Sequence, residues 1–268
     1  METSTSAQLW DALAHLAAGR LDQAESCCRE GLAATECHAI PPAPPTDEPV
    51  NTYRCRILVR CGVLAAHTGL RYEAEDCYRK ALTLAERIWD PYHEEVASIC
   101  HRLALLAEGW EDGDALLTFA HRAYHIRCSL FGSTHPLTAA ARTGTAVVLH
   151  AKGEYSRAGE AFVHALGLFD RHYLTSDTTL AAQQTLDDYA TCLRGASVYL
   201  ISNGRAADAR EFSSRAVHAF VSLLGKRHPQ TRQLRAEHDS IARAASRQQS
   251  RFHLFPTWNW WRLLSFSR

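Results

Sequence analysis

Five residue pairs, each spaced seven positions apart, recur along the chain and constrain its folding more than any other feature. They are Ala24/Gly31, Ala74/Ala81, Leu116/Ala123, Ala158/Ala165 and Ala209/Ala216, and successive copies are 50, 42, 42 and 51 residues apart. Residues seven apart share one side of an α-helix, so each pair marks a helix with a close-packed stripe. In four copies a glycine precedes the pair by five residues: Gly19, Gly69, Gly153 and Gly204. Self-similarity at such an interval means stacked supersecondary units, none of which buries its apolar face alone.

The clearest unit runs from Asn51 to Ala97. Its two helical runs, Asn51–His67 and Arg71–Ile88, flank a break at Thr68-Gly69-Leu70. The second places Ala74, Cys77, Tyr78, Ala81, Ala85 and Ile88 on one stripe, and Gly62, Ala65, Ala74 and Ala81 fall where antiparallel helices must approach closely. One unit is therefore a helical hairpin. The other hairpins are expected at Ala7–Ala18 with Leu21–Ala33, Glu94–Glu108 with Asp112–Phe131, Pro136–Lys152 with Tyr155–Tyr173, and Thr178–Ser202 with Arg205–Leu224. In the first, Trp10, Leu13 and Leu16 are expected on the inner face. The Thr178–Ser202 helix is expected to be elongated, and Pro229–Ser246 closes the array as an end helix. Phe131-Gly132-Ser-Thr-His135-Pro136 and Leu224-Gly225-Lys-Arg-His228-Pro229 are nearly the same turn. In each, Gly can end one helix in a left-handed cap and Pro can open the next.

The stretch Ala74-Glu-Asp-Cys-Tyr78-Arg-Lys-Ala81-Leu82 and the pattern Gly153-Glu-Tyr155…Ala158…Phe162…Ala165-Leu166 resemble tetratricopeptide repeats (TPR). The 42-residue period, the Leu-Gly-x-x-His-Pro turn and Cys100-His-Arg-Leu103-Ala104-Leu105-Leu106 resemble the kinesin-light-chain subtype. The resemblance spans about residues 7–246 and lacks that protein's heptad coiled coil. It implies an all-α fold, a right-handed superhelical solenoid of about five antiparallel helix-turn-helix hairpins. The expected domains are an N-terminal hairpin at 1–34, a Pro-rich linker at 35–49 holding five of the nine prolines, a repeat array at 50–246, and a basic Trp-rich tail at 247–268.

Composition agrees with a chain that works by contact. A hydrophobic content of 46% can build a long core, and a formal net charge of zero gives no overall attraction to nucleic acid. The nine Cys are odd in number and scattered, so they read as reduced core thiols; with no signal peptide at the N-terminus, the expected location is cytoplasmic. There is no Gly-rich phosphate loop, His-Glu-x-x-His or Cys-x-x-Cys, so no catalytic site, metal or cofactor is expected. His121 with His125, and Cys27-Cys28 with Cys37-His38, lack the companions or geometry of a metal site.

The expected output is protein binding. In the resembled subtype, an Asn pair on the first helix of each hairpin holds the backbone of a bound peptide. The corresponding positions here are Val59-Arg60, His101-Arg102, Thr143-Gly144 and Arg194-Gly195, with Arg56 one turn before Arg60. Arg56, Arg60, His101, Arg102, Thr143 and Arg194 are thus the candidate groove residues. The planar donor fork of Arg suits carboxylate or phosphate, which points to an acidic or phosphorylated peptide. The competing reading pairs these arginines with Asp and Glu of neighbouring helices. Phe255, Trp258, Trp260 and Trp261 of the tail are candidates to cap the last hairpin, to touch a membrane surface or to meet a partner. Two further expectations are a membrane-peripheral scaffold attached through that tail, and a regulatory module for an enzyme on another chain.

Overall fold

The computed structural model describes residues 2–34, 49–107, 113–175 and 185–248. They form eleven helices and no strand: α1 Glu2–Ala17, α2 Leu21–Ala34, α3 Val50–His67, α4 Arg71–Ile88, α5 Glu94–Leu105, α6 Gly113–Phe131, α7 Pro136–Ala151, α8 Tyr155–Thr175, α9 Leu186–Ser202, α10 Ala206–Leu224 and α11 Pro229–Gln248. The expected tail contacts, most of the Pro-rich linker and residues 176–184 lie outside the described residues. No described helix is long and apolar enough to cross a membrane.

The recurring pairs fall on α2, α4, α6, α8 and α10, and Ala24, Ala74, Ala81, Ala123, Ala165, Ala209 and Ala216 have no exposed surface. The four glycines before them adopt φ of +73° to +80°, which a side chain resists. Each closes the preceding helix in the same way. At the α3–α4 turn, Gly69 N donates to the Ala66 carbonyl and Leu70 N reaches back to Ala65, the paired bonds of a Schellman cap. The His-Pro turns also form as expected, with φ of +85° at Gly132 and +86° at Gly225. Here the histidine has a role the sequence reading passed over. His135 Nδ1 accepts from Leu137 N at 3.2 Å, capping α7, while its ring stacks on Phe131. His93 caps α5 by the same bond to Glu95 N, stacked on Trp89.

The structure divides into two compact units, α1–α5 and α6–α11. In the first, α1 packs on α2, α2 and α1 on α3, α3 on α4 and α4 on α5. Its core holds Leu9, Ala12 and Leu16 of α1, so the expectation for Trp10 is corrected: it faces outward at 51% exposure, and the inner stripe is one residue earlier in register. The expected close approach in the second hairpin is present, because a Cβ on Gly62 would lie 2.5 Å from the Tyr78 ring.

In the second unit each helix packs on the next; α7, α9 and α11 also touch in series, as do α8 and α10. This is the two-layer contact pattern of repeated hairpins. Phe162, Phe169, Tyr189 and Phe220 fill its core, and the buried Asp170 accepts from Tyr189 Oη at 2.6 Å and from Arg215 Nη1 at 3.2 Å. One expectation fails here. The helix foreseen at Thr178–Ser202 begins at Leu186, after a non-helical Thr185 with φ −104° and ψ 8°. Asp187 and Asp188 occupy its first turn, where carboxylates favour a helix start. At 17 residues, α9 is no longer than the 18-residue α3, whereas α8 reaches 21.

Candidate functional site

The candidate residues lie on the first helices of their hairpins: Arg56 and Arg60 on α3, His101 and Arg102 on α5, Thr143 on α7 and Arg194 on α9. Each unit carries its own set.

In the first unit, Arg56 and Arg60 are one turn apart, and their depths differ. Arg60 is 2% exposed and forms an ion pair through Nη1 with Oε1 of Glu25 on α2. Burial lowers the pKa of its guanidinium, and Glu25 supplies the counter-charge such a buried cation requires. Arg56 is half-buried. On α5, His101 is buried while Arg102 is half-buried. The Nε of Arg102 is shut off from solvent without a hydrogen-bond partner, and no carboxylate among the described residues pairs with this side chain.

In the second unit, Thr143 is fully buried, and its hydroxyl donates to the Ala139 carbonyl one turn back at 3.2 Å. The half-buried Arg194 extends from α9 along the first-helix layer to α11, where Nη1 lies 3.2 Å and 3.4 Å from the two carboxylate oxygens of Glu237. Gln233 Nε2 donates to the same carboxylate. The sequence reading passed over Arg142, whose guanidinium stands 5.5 Å over the Tyr124 ring and donates to its hydroxyl at 3.3 Å. Its only sequence signal is adjacency to Thr143, because the tyrosine comes from the preceding helix.

The six residues therefore differ in what they offer. Arg60, His101 and Thr143 are enclosed within their units. Arg56, Arg102 and Arg194 are half-buried, with aliphatic stems packed and solvent still reaching part of each side chain. Arg60 and Arg194 have the carboxylate partners that the competing reading assigned them. His121 and His125 are both exposed on α6, and no group of three or more metal-ligating side chains converges among the described residues.

No protein-family profile matches the chain, and no curated protein sequence does. Solved structures do. BtubC (BKLC) from P. vanneervenii is similar over 96% of this chain and 96% of that one, at 17% identity and a TM-score of 0.54. Two structures of a kinesin-light-chain protein from Podosopora anserina, with nearly identical TPR-like repeats, are also similar. One covers 74% of this chain and 93% of that one, at 14% identity and a TM-score of 0.49; the other covers 83% and 97%, at 13% and 0.46. The fold is that of the TPR-like, all-α repeat solenoids.

Proposed function

We propose that this protein is a non-enzymatic, cytoplasmic adaptor whose first helices take an acidic or phosphorylated peptide segment. Arg102 carries the reading. A half-buried guanidinium without a carboxylate partner among the described residues has lost water and gained no counter-charge, and an arriving carboxylate or phosphate supplies one. Arg194 supports it, since its Nε is also buried without a hydrogen bond while one arm rests on Glu237. In this reading Arg56 and Arg102 meet the ligand in the first unit, on helices held by Arg60 and His101, while in the second unit Arg194 is the corresponding contact, on a layer held by Thr143.

The test is fluorescence anisotropy with three labelled peptides of equal length: one rich in Asp and Glu, one carrying phosphoserine, and one rich in Lys as control. The acidic or phosphorylated peptide is expected to bind, with affinity falling as salt rises. Arg102→Gln is expected to weaken it about tenfold, the size of one charge-assisted hydrogen bond, with helicity checked by circular dichroism. Binding no tighter than that of the Lys-rich control rejects the reading.

A further inference from the structure

Within the first unit, two cysteines from separate hairpins meet. Cys28 on α2 and Cys61 on α3 lie with their sulfurs 3.2 Å apart, although 33 positions separate them in sequence. Both are free thiols with no exposed surface. The helices pack tightly around them: a Cβ on Gly31, one turn after Cys28, would stand 2.7 Å from a side-chain methyl of Leu64, one turn after Cys61. A disulfide requires its sulfurs only about 1 Å nearer than this, together with suitable side-chain torsions.

We infer that Cys28 and Cys61 form a reversible disulfide when the protein meets a peroxide. Its hydrogen bond to Cys28, and then burial, raise the Cys61 thiol well above the ordinary cysteine value, so Cys61 keeps its proton. Cys28–SH and hydrogen peroxide give Cys28–SOH and water. The Cys61 sulfur then attacks that of Cys28, its proton leaves with the hydroxyl as a second water, and the S–S bond forms. The peroxide is reduced, the two thiols are oxidised together by two electrons, and a dithiol reductant reverses the step. With both sulfurs enclosed, oxidation follows brief partings of α2 from α3.

The consequence is local and physical. The bond closes a chain loop that includes the Pro-rich stretch and pins α2 to α3 one position from Arg60 and one turn from Glu25. An N-terminal hairpin held by packing, the Arg60–Glu25 ion pair and the Tyr53–Asp22 hydrogen bond becomes covalently fastened, which restricts its opening.

The experiment uses the full chain, freed of reductant, treated with hydrogen peroxide, blocked with N-ethylmaleimide and digested with trypsin without reduction. The expected product joins the peptide 21–29 to the peptide 61–71, with fragmentation placing the link on Cys28 and not on its neighbour Cys27. Dithiothreitol should abolish it, and Cys28→Ala should prevent it. Amides of α2 should also exchange more slowly in the oxidised protein. Blocked, unlinked Cys28 and Cys61 at peroxide doses that consume the half-buried Cys27 and Cys128 would overturn the inference. Linkage of Cys61 to Cys27 or Cys77 instead would do the same. The wild-type peptide map decides this even if Cys28→Ala fails to fold.

Discussion

His150 shows how much a single residue here owes to its surroundings. It lies in the last turn of α7, edge-on to Tyr155 with ring centroids 4.9 Å apart, and burial lowers its pKa from 6.5 to about 4. The folded protein therefore holds the neutral imidazole while the unfolded chain takes up a proton below pH 6.5. Its contribution to stability is complete above pH 6.5 and is lost progressively as pH falls toward 4. Urea midpoints measured from pH 7.5 down to 4.5 should drop more steeply for the native protein than for His150→Gln; equal slopes would refute the assignment. Nothing in the sequence separates this histidine from the other 14. The same holds for the arginines. Arg60 and Arg194 stood out by their place in the repeat, but Glu25 and Glu237, which pair with them, lie 35 and 43 positions away. Nor does periodicity alone set Trp10 outward, because a stripe at 9, 12 and 16 and one at 10, 13 and 16 differ by a small rotation of the helix.

For whole elements, the hairpin depends on small residues at its crossings. Gly62→Ala should destabilise the protein by about 1–3 kcal/mol, since the added carbon meets the buried Tyr78 ring and outweighs the better helix propensity. Gly167→Ala is its control. Gly167 is also helical, but nothing lies within 4 Å of a Cβ there, so the change should stabilise by about 1 kcal/mol. Chemical denaturation of both variants checks the pair, and a common sign would show that the crossing geometry is wrong. The helix ends were largely legible because Gly, His and Pro act through their own backbones and immediate neighbours. The start of α9 was misread because the extra residues before Gly204 were assigned to one long helix, whereas Thr185 takes a non-helical conformation just ahead of Leu186. The helices of the third expected hairpin lie near their foreseen bounds, with α5 ending at Leu105 and α6 beginning at Gly113.

For the molecule as a whole, the attachment of the N-terminal hairpin to the rest of its unit is the most exposed to a single change. Glu25→Gln removes the carboxylate that the buried Arg60 meets on α2, a loss of about 3–5 kcal/mol where such pairs are broken. Hydrogen exchange should then speed up first in α1 and α2, and a variant exchanging like the native protein would mean that water replaces Glu25. What the sequence determined alone is the all-α class, the repeated hairpin, its small-residue contacts and most of its caps. These follow from periodicity and from the backbone limits of Gly and Pro, which act within a few residues. The tertiary structure alone decided which arginines have carboxylate partners, which histidine stays neutral, which cysteines meet and where the compact units divide. Charge pairing, desolvation and sulfur contact depend on distances between residues that only packing brings together.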